Sequence, residues 1–120
     1  MADNYEGLEK LFHEPARLAI VSELCGAEEG MSFVQMKEKC GLTDGNLSRH
    51  LAVLKEAKVV QIKKSFVDSK PRTTVMITEK GLEQFFAYLD ALEKVLKEAA
   101  KKAKPVRAKL GETLARSVGC

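Results

Sequence analysis

The 120-residue sequence predicts an α+β fold, mostly α, in which three helices lead into a β-hairpin and one long helix follows. Three observations carry that expectation. Apolar residues recur at helical spacing between cap residues as far as Ala57, the signature of short amphipathic helices. The segments VVQIKKSF and RTTVMIT are then rich in branched residues and flank a polar connection, as the two arms of a hairpin do. From Leu82 to Ala103 apolar positions repeat at alternating spacings of three and four, a heptad pattern.

In chain order, Tyr5, Leu8, Leu11 and Phe12 sit at helical spacing and predict a short first helix. Glu14 precedes a proline and so avoids helical geometry, while Pro15 suits a first helical position. A second helix is therefore expected over 15–25, stopped by Gly26. Ser32 and Gln35 have the spacing of a capping box, which predicts a helix over 33–39 closed by Cys40 and Gly41. Thr43 caps the next helix, whose Leu47, Leu51 and Leu54 share one face and leave Ser48, Arg49, Ala52 and Lys55 on the other.

In the hairpin, Val60, Ile62 and Lys64 alternate against Val59, Gln61 and Lys63, which places the lysines near the tip. Pro71 belongs at the tip or on an edge, because it donates no ladder bond. Thr78 caps the long helix. Its seam of Leu82, Phe85, Leu89, Leu92 and Leu96, continued by Ala99 and Ala103, is longer than a small globule needs for its own core. Pairing with a second chain is expected, the alternative being a helix packed across its own domain. Phe85, Phe86 and Tyr88 read as core or as the lining of a ligand pocket. Pro105 ends the seam, and a basic tail follows.

Composition bounds the function. Hydrophobic residues make up 45% and charged residues 31%, enough for one modest core. No apolar run approaches the roughly 18 residues that span a bilayer, and the opening MADNYEGLEK lacks the regions of a signal peptide, so a cytoplasmic, nucleoid-associated protein is expected. Cys25, Cys40 and Cys120 are an odd number without CxxC spacing, which signals neither a disulfide framework nor a zinc site. They read as reduced thiols, with Cys25 and Cys40 buried and Cys120 exposed. The net charge of +3 hides a basic block, since residues 55–72 hold six basic and two acidic side chains. Such a block directly after a helix points to a polyanion partner.

Helix, short helix, turn, helix and hairpin in this order have the layout of a winged helix-turn-helix with a long C-terminal dimerisation helix. In that layout the helix after the turn lies in the major groove of DNA with its first residues against bases and phosphates. Glycine early in a helix is a poor helix former, and this helix opens TDGNLSRH. Small residues such as Gly45 and Ser48 let the backbone approach phosphates, and the helix N-terminus offers them free N–H groups. Arg49 suits guanine or a phosphate, and Asn46 suits adenine. The candidate DNA contacts on this helix are Thr43, Asp44, Gly45, Asn46, Ser48, Arg49, His50 and Lys55. Those on the wing are Lys63, Lys64, Lys70 and Arg72, each phosphate contact adding salt dependence. An ordinary solvated face is the alternative for these charges. His50 adjoins Leu51 and reads as a structural residue, a phosphate contact or a proton-sensitive switch, whereas His13 reads as structural.

The segments EPARLAIVSEL, GNLSRHLAVLKEA and PRTTVMITEKG, in this order, resemble the small winged-helix transcriptional regulators of bacteria and archaea related to the ArsR and MarR groups. The resemblance covers about residues 8–95. It implies a homodimeric DNA-binding regulator with the helix from Thr43 for recognition, the hairpin as wing and the last helix for dimerisation. Two departures stand out. Lys58 occupies a place where the wider group commonly has glycine, at a cost of roughly 1 kcal/mol if its backbone is left-handed. The paired cysteines of metal-sensing ArsR proteins are missing from ELCGAEE, which argues against a metal.

The expected organisation is a winged-helix domain over 1–78, a dimerisation helix over 79–104 and a basic tail over 105–120. The expected function is a sequence-specific, double-stranded-DNA-binding repressor, working without cofactor on an imperfect palindrome whose half-sites lie roughly 34 Å apart. The alternative is a winged helix that binds a protein instead. Catalysis is not signalled, since the chain contains no Gly-rich phosphate loop, metal-binding histidine spacing or nucleophile elbow.

Overall fold

A computed structural model of the chain describes residues 10–103. The elements are α1 (Pro15–Cys25), β1 (Met31–Ser32), α2 (Phe33–Cys40), α3 (Asp44–Glu56), β2 (Val60–Val67), β3 (Lys70–Ile77) and α4 (Glu79–Lys102). Each helix begins where a side chain meets its free N–H groups. Glu14 accepts from the Arg17 N–H, which holds its carboxyl below the usual carboxylate range. Ser32 and Gln35 form the capping box of α2, while Thr43 and Thr78 cap α3 and α4. Tyr5 and Leu8 lie outside the described residues. Leu11 and Phe12, placed by their spacing on a first helix, sit instead in a turn that leads to Pro15.

Both ends of the helix-turn-helix close in the same way. Gly41 ends α2 at φ 63°, with Leu42 N–H donating to the Lys37 carbonyl at 3.1 Å. After α3, Lys58 takes φ 64°; its N–H donates to the Lys55 carbonyl and that of Val59 to the Leu54 carbonyl, both at 2.9 Å. This pair of bonds is a Schellman closure. Val59 and Leu54, which it brings together, are both fully buried, and that burial offsets the strain at Lys58.

β2 and β3 pair from Val60↔Ile77 to Val67↔Lys70. Only Asp68 and Ser69 remain for the turn, at φ 52° and 66°, the two left-handed residues that a tight hairpin demands. The ladder therefore runs further out than the polar stretch VDSKP suggests, and Lys63 and Lys64 stand in mid-strand rather than at the tip. Val67 and Lys70 form the closing hydrogen-bonded pair, so the missing N–H of Pro71 faces away from β2. β1, which the sequence did not reveal, pairs with Thr74 and Val75 and stops short of Pro71. The sheet order is β1-β3-β2.

Ile20, Val21 and Leu24 of α1, Met36 of α2, Leu47, Leu51 and Leu54 of α3, and Val60 and Val75 of the sheet form one core. The start of α4 locks onto it through backbone. Thr78 Oγ1 donates to the Lys58 carbonyl at 2.7 Å, and Thr78 N–H to that of Val59 at 2.9 Å. Gly81 then passes so close to Val59 that a Cβ would collide with its carbonyl. Further along, Phe85 meets the Phe12 ring edge-on at 5.3 Å, and Tyr88 hydrogen-bonds His13 Nδ1 at 2.9 Å. No helix among the described residues is long and apolar enough to cross a membrane.

The α4 seam is thereby divided. Phe85, grouped by its spacing with the dimerisation residues, is 2% exposed and belongs to this chain's own core, as does Tyr88. Leu92 packs partly against that core. Leu82 is half-buried, whereas Leu89 and Leu96 face solvent together with Phe86. Cys25, expected to be buried, is exposed because it ends α1 one residue beyond buried Leu24; Cys40 is half-buried.

Candidate nucleic-acid interface

The apolar stripe Leu47, Leu51 and Leu54 fixes the rotation of α3 by burial. Helical geometry then turns Asp44, Gly45, Asn46, Ser48, Arg49, Ala52 and Lys55 outward, and all of them are exposed. Thr43 Oγ1 accepts from the Asn46 N–H at 3.2 Å, so its hydroxyl serves the cap. Arg49 Nη2 donates to Asn46 Oδ1 at 3.3 Å, which aligns the two side chains on one exposed face. Asp44 forms an ion pair with Lys37 at 2.8 Å. That pair joins the two helices across their turn and holds the Lys37 ammonium above the usual lysine range.

Gly45 answers its own puzzle. Its φ is not left-handed, and nothing lies within 4 Å of where its Cβ would be. Neither backbone conformation nor internal packing asks for glycine there. A residue that costs helix stability without serving the fold suits a backbone that something outside the chain must approach.

Hairpin register sorts the wing cations. Directly paired residues share a face, so Lys64 and Thr73 lie on the same side as Ile62 and Val75, while Lys63, Arg72 and Lys70 lie on the other. Lys64 joins Ser48, Ala52 and Lys55 of α3 around an open groove floored by Leu51 and Ile62. Lys63 lines a different groove with Lys55 and Lys58. Lys70 and Arg72 line a third, beside Ser32–Gln35 at the start of α2. Among the described residues the four wing cations thus divide between the two faces of the hairpin, and Lys64 shares a groove with Ser48 and Lys55.

His50 does not join the exposed row. It is 7% exposed, and its Nδ1 lies 3.3 Å from Nη1 of Arg17. Arg17 also donates through Nε to the Leu11 carbonyl at 2.8 Å. Since guanidinium only donates, Nδ1 of His50 acts as acceptor. His50 thus ties α3 to the N-terminal turn instead of reaching outward. Sequence reading missed that tie, because nothing in the spacing of residues 17 and 50 announces it. It also missed Lys37 and Phe66, and it read Phe86 as core or pocket lining where the structure leaves that ring exposed on α4. For Phe66, 75% exposed at the end of the wing, the signal was an aromatic directly beside the polar stretch VDSKP that turns the hairpin. Among the described residues no group of three His, Cys, Asp or Glu side chains gathers as a metal site.

Known proteins share this arrangement. The family described as winged helix DNA-binding domain matches residues 16–96. An uncharacterised protein of Methanocaldococcus jannaschii is 40% identical over 80 residues, which cover 67% of this chain and 86% of the relative. The structure of a transcriptional regulator homologue from Pyrococcus horikoshii superposes with a TM-score of 0.75 at 31% identity, over 82% of this chain and 98% of that one. A Staphylococcus aureus MepR variant bound to an oligodeoxyribonucleotide shares the fold, with a TM-score of 0.64 at 11% identity over 95% of this chain and 89% of that one.

Proposed function

Because the chain belongs to the winged helix DNA-binding domain family, we propose that it represses transcription as a homodimer on an imperfectly palindromic operator and is not an enzyme. α3 enters the major groove, with Arg49 and Asn46 against base edges and Gly45 and Ser48 against the phosphates. Lys55 and Lys64 grip the adjacent backbone, and Lys63, Lys70 and Arg72 extend the cationic surface along the wing. Asp44 steadies the helix start through Lys37 and makes no DNA contact. Residues 10–78 act as the DNA-binding unit. The stripe of α4 formed by half-buried Leu82 and exposed Phe86, Leu89 and Leu96 pairs with its counterpart in a second copy, and the protein works in the cytoplasm on the nucleoid.

The observation that carries this reading is the outward row on α3. It combines a glycine that the fold does not need with an aligned Asn46–Arg49 pair, beside a groove that Lys55 and Lys64 make cationic. The test is retention of short duplexes selected from a random pool by the wild-type protein, titrated over a range of salt. Replacing Lys64 and Lys70 together by Ala should reduce the log-log salt slope by roughly 2, near 0.9 for each phosphate no longer neutralised. An undiminished slope would take the wing off the phosphates. Absence of any salt-dependent affinity in the wild type would sink the reading and favour a protein partner.

A further inference from the structure

We propose that the wing tip is an apolar wedge that inserts into the minor groove and unstacks a base step, kinking the DNA. The inference rests on the DNA-binding reading above. Three neighbouring apolar residues crown the hairpin: Phe66 is 75% exposed, Val67 is 44% exposed, and Pro71 stands directly opposite Phe66. Scattered single apolar residues are normal on a surface. Here, however, an aromatic ring and a proline face each other at the far end of a rigid ladder, with no part of the described chain covering the ring.

Position and charge select the occupant. The register puts Phe66 and Pro71 on the face that carries Lys64 and Thr73, and those two line the groove shared with α3. The wedge therefore points to the same side as the recognition helix. Phe66 lies four residues beyond Ile62, roughly 13 Å along an extended strand. The minor groove flanking an occupied major groove begins about half a helical turn away, roughly 17 Å. Lys70 and Arg72 flank the tip, and Lys64 stands two residues behind Phe66 on the ring's own face, against a single acid, Asp68. That surround suits the phosphates on either side of a groove and repels the same cations on a second copy. Aromatic and proline side chains are among those that proteins push between base pairs from this side.

The experiment uses the full chain and duplexes that the wild type selects from a random pool, labelled at both ends for energy transfer and carrying 2-aminopurine in the flanking segment. The wild type should shorten the end-to-end distance and raise 2-aminopurine fluorescence. Phe66→Ala, which alters only an exposed ring, should keep the wild-type circular dichroism and salt slope, lose both DNA signals, and bind about tenfold more weakly. Phe66→Leu should restore them. If Phe66→Ala bends and unstacks the duplex as the wild type does, the wedge is wrong while the DNA-binding reading stands. If Phe66→Ala instead changes the sedimentation of the free protein and leaves the DNA complex alone, the tip docks a second copy and the proposal is overturned. Failure of the wild type to retain any duplex would remove the underlying reading, at a step before bending is measured.

Discussion

The guanidinium of Arg49 donates to the side-chain carbonyl of Asn46 at 3.3 Å, one turn back along the exposed face of α3. The bond carries the Arg49 guanidinium back toward the N-terminal end of the helix and sets it beside the Asn46 amide, where a major groove would receive both. Replacing Arg49 by Ala should weaken binding to a selected duplex by about 1–3 kcal/mol and relax the preference at one base position. Competition gel shifts against single-base variants check this. Equal affinity for every variant, with a shallower salt slope, would make Arg49 a phosphate contact.

Gly45 sets stability against function. Because the space around it is open and its backbone is not left-handed, Gly45→Ala should stabilise the chain by about 0.5–1 kcal/mol. The added methyl group should at the same time obstruct the phosphate approach and weaken DNA binding. Urea midpoints and duplex titrations on the same preparation measure the two effects. Tighter binding in the stabilised variant would end the close-approach account.

Lys58 bears a left-handed backbone without being glycine. Lys58→Gly relieves that strain but adds freedom to the unfolded chain, so the net gain should be up to about 1 kcal/mol. A rise in the chemical-denaturation midpoint with unchanged slope would show it. A loss of stability would mean that the Lys58 side chain contributes more than its backbone costs.

On α4 the residues to perturb are Phe86 and Leu96, at 57% and 60% exposed, rather than core-packed Phe85. If α4 pairs with a second copy as proposed, Leu96→Glu should sediment as a monomer while leaving the helical signal near the wild-type level. Phe85→Ala, by contrast, removes a ring packed on Phe12 and should cost about 3–5 kcal/mol of stability. A dimer that survives charges at both Phe86 and Leu96 would lie on another surface.

Much of this was legible in the residues, for an identifiable reason. Caps, capping boxes and Schellman closures act within five positions, so Glu14, Ser32, Thr43, Gly41 and Thr78 announce their elements locally. The heptad seam was less faithful. Its spacing is correct, but two apolar faces overlap within it, and only contact with Phe12 decides that Phe85 and Tyr88 turn inward while Phe86 and Leu89 turn outward.

The sequence by itself determined the order of α1, α2, α3, the hairpin and α4, the buried stripe of α3 and therefore which polar residues of that helix face away from the core. Only the tertiary structure decided that His50 is held by Arg17, that Lys70 and Arg72 share the face of Lys63 rather than that of Lys64, and that Phe66 stands uncovered at the tip. The first group depends on periodicity and on hydrogen bonds between near neighbours. The second depends on partners 33 residues apart, as for Arg17 and His50, and on a hairpin register in which a shift of one residue would carry every side chain to the opposite face.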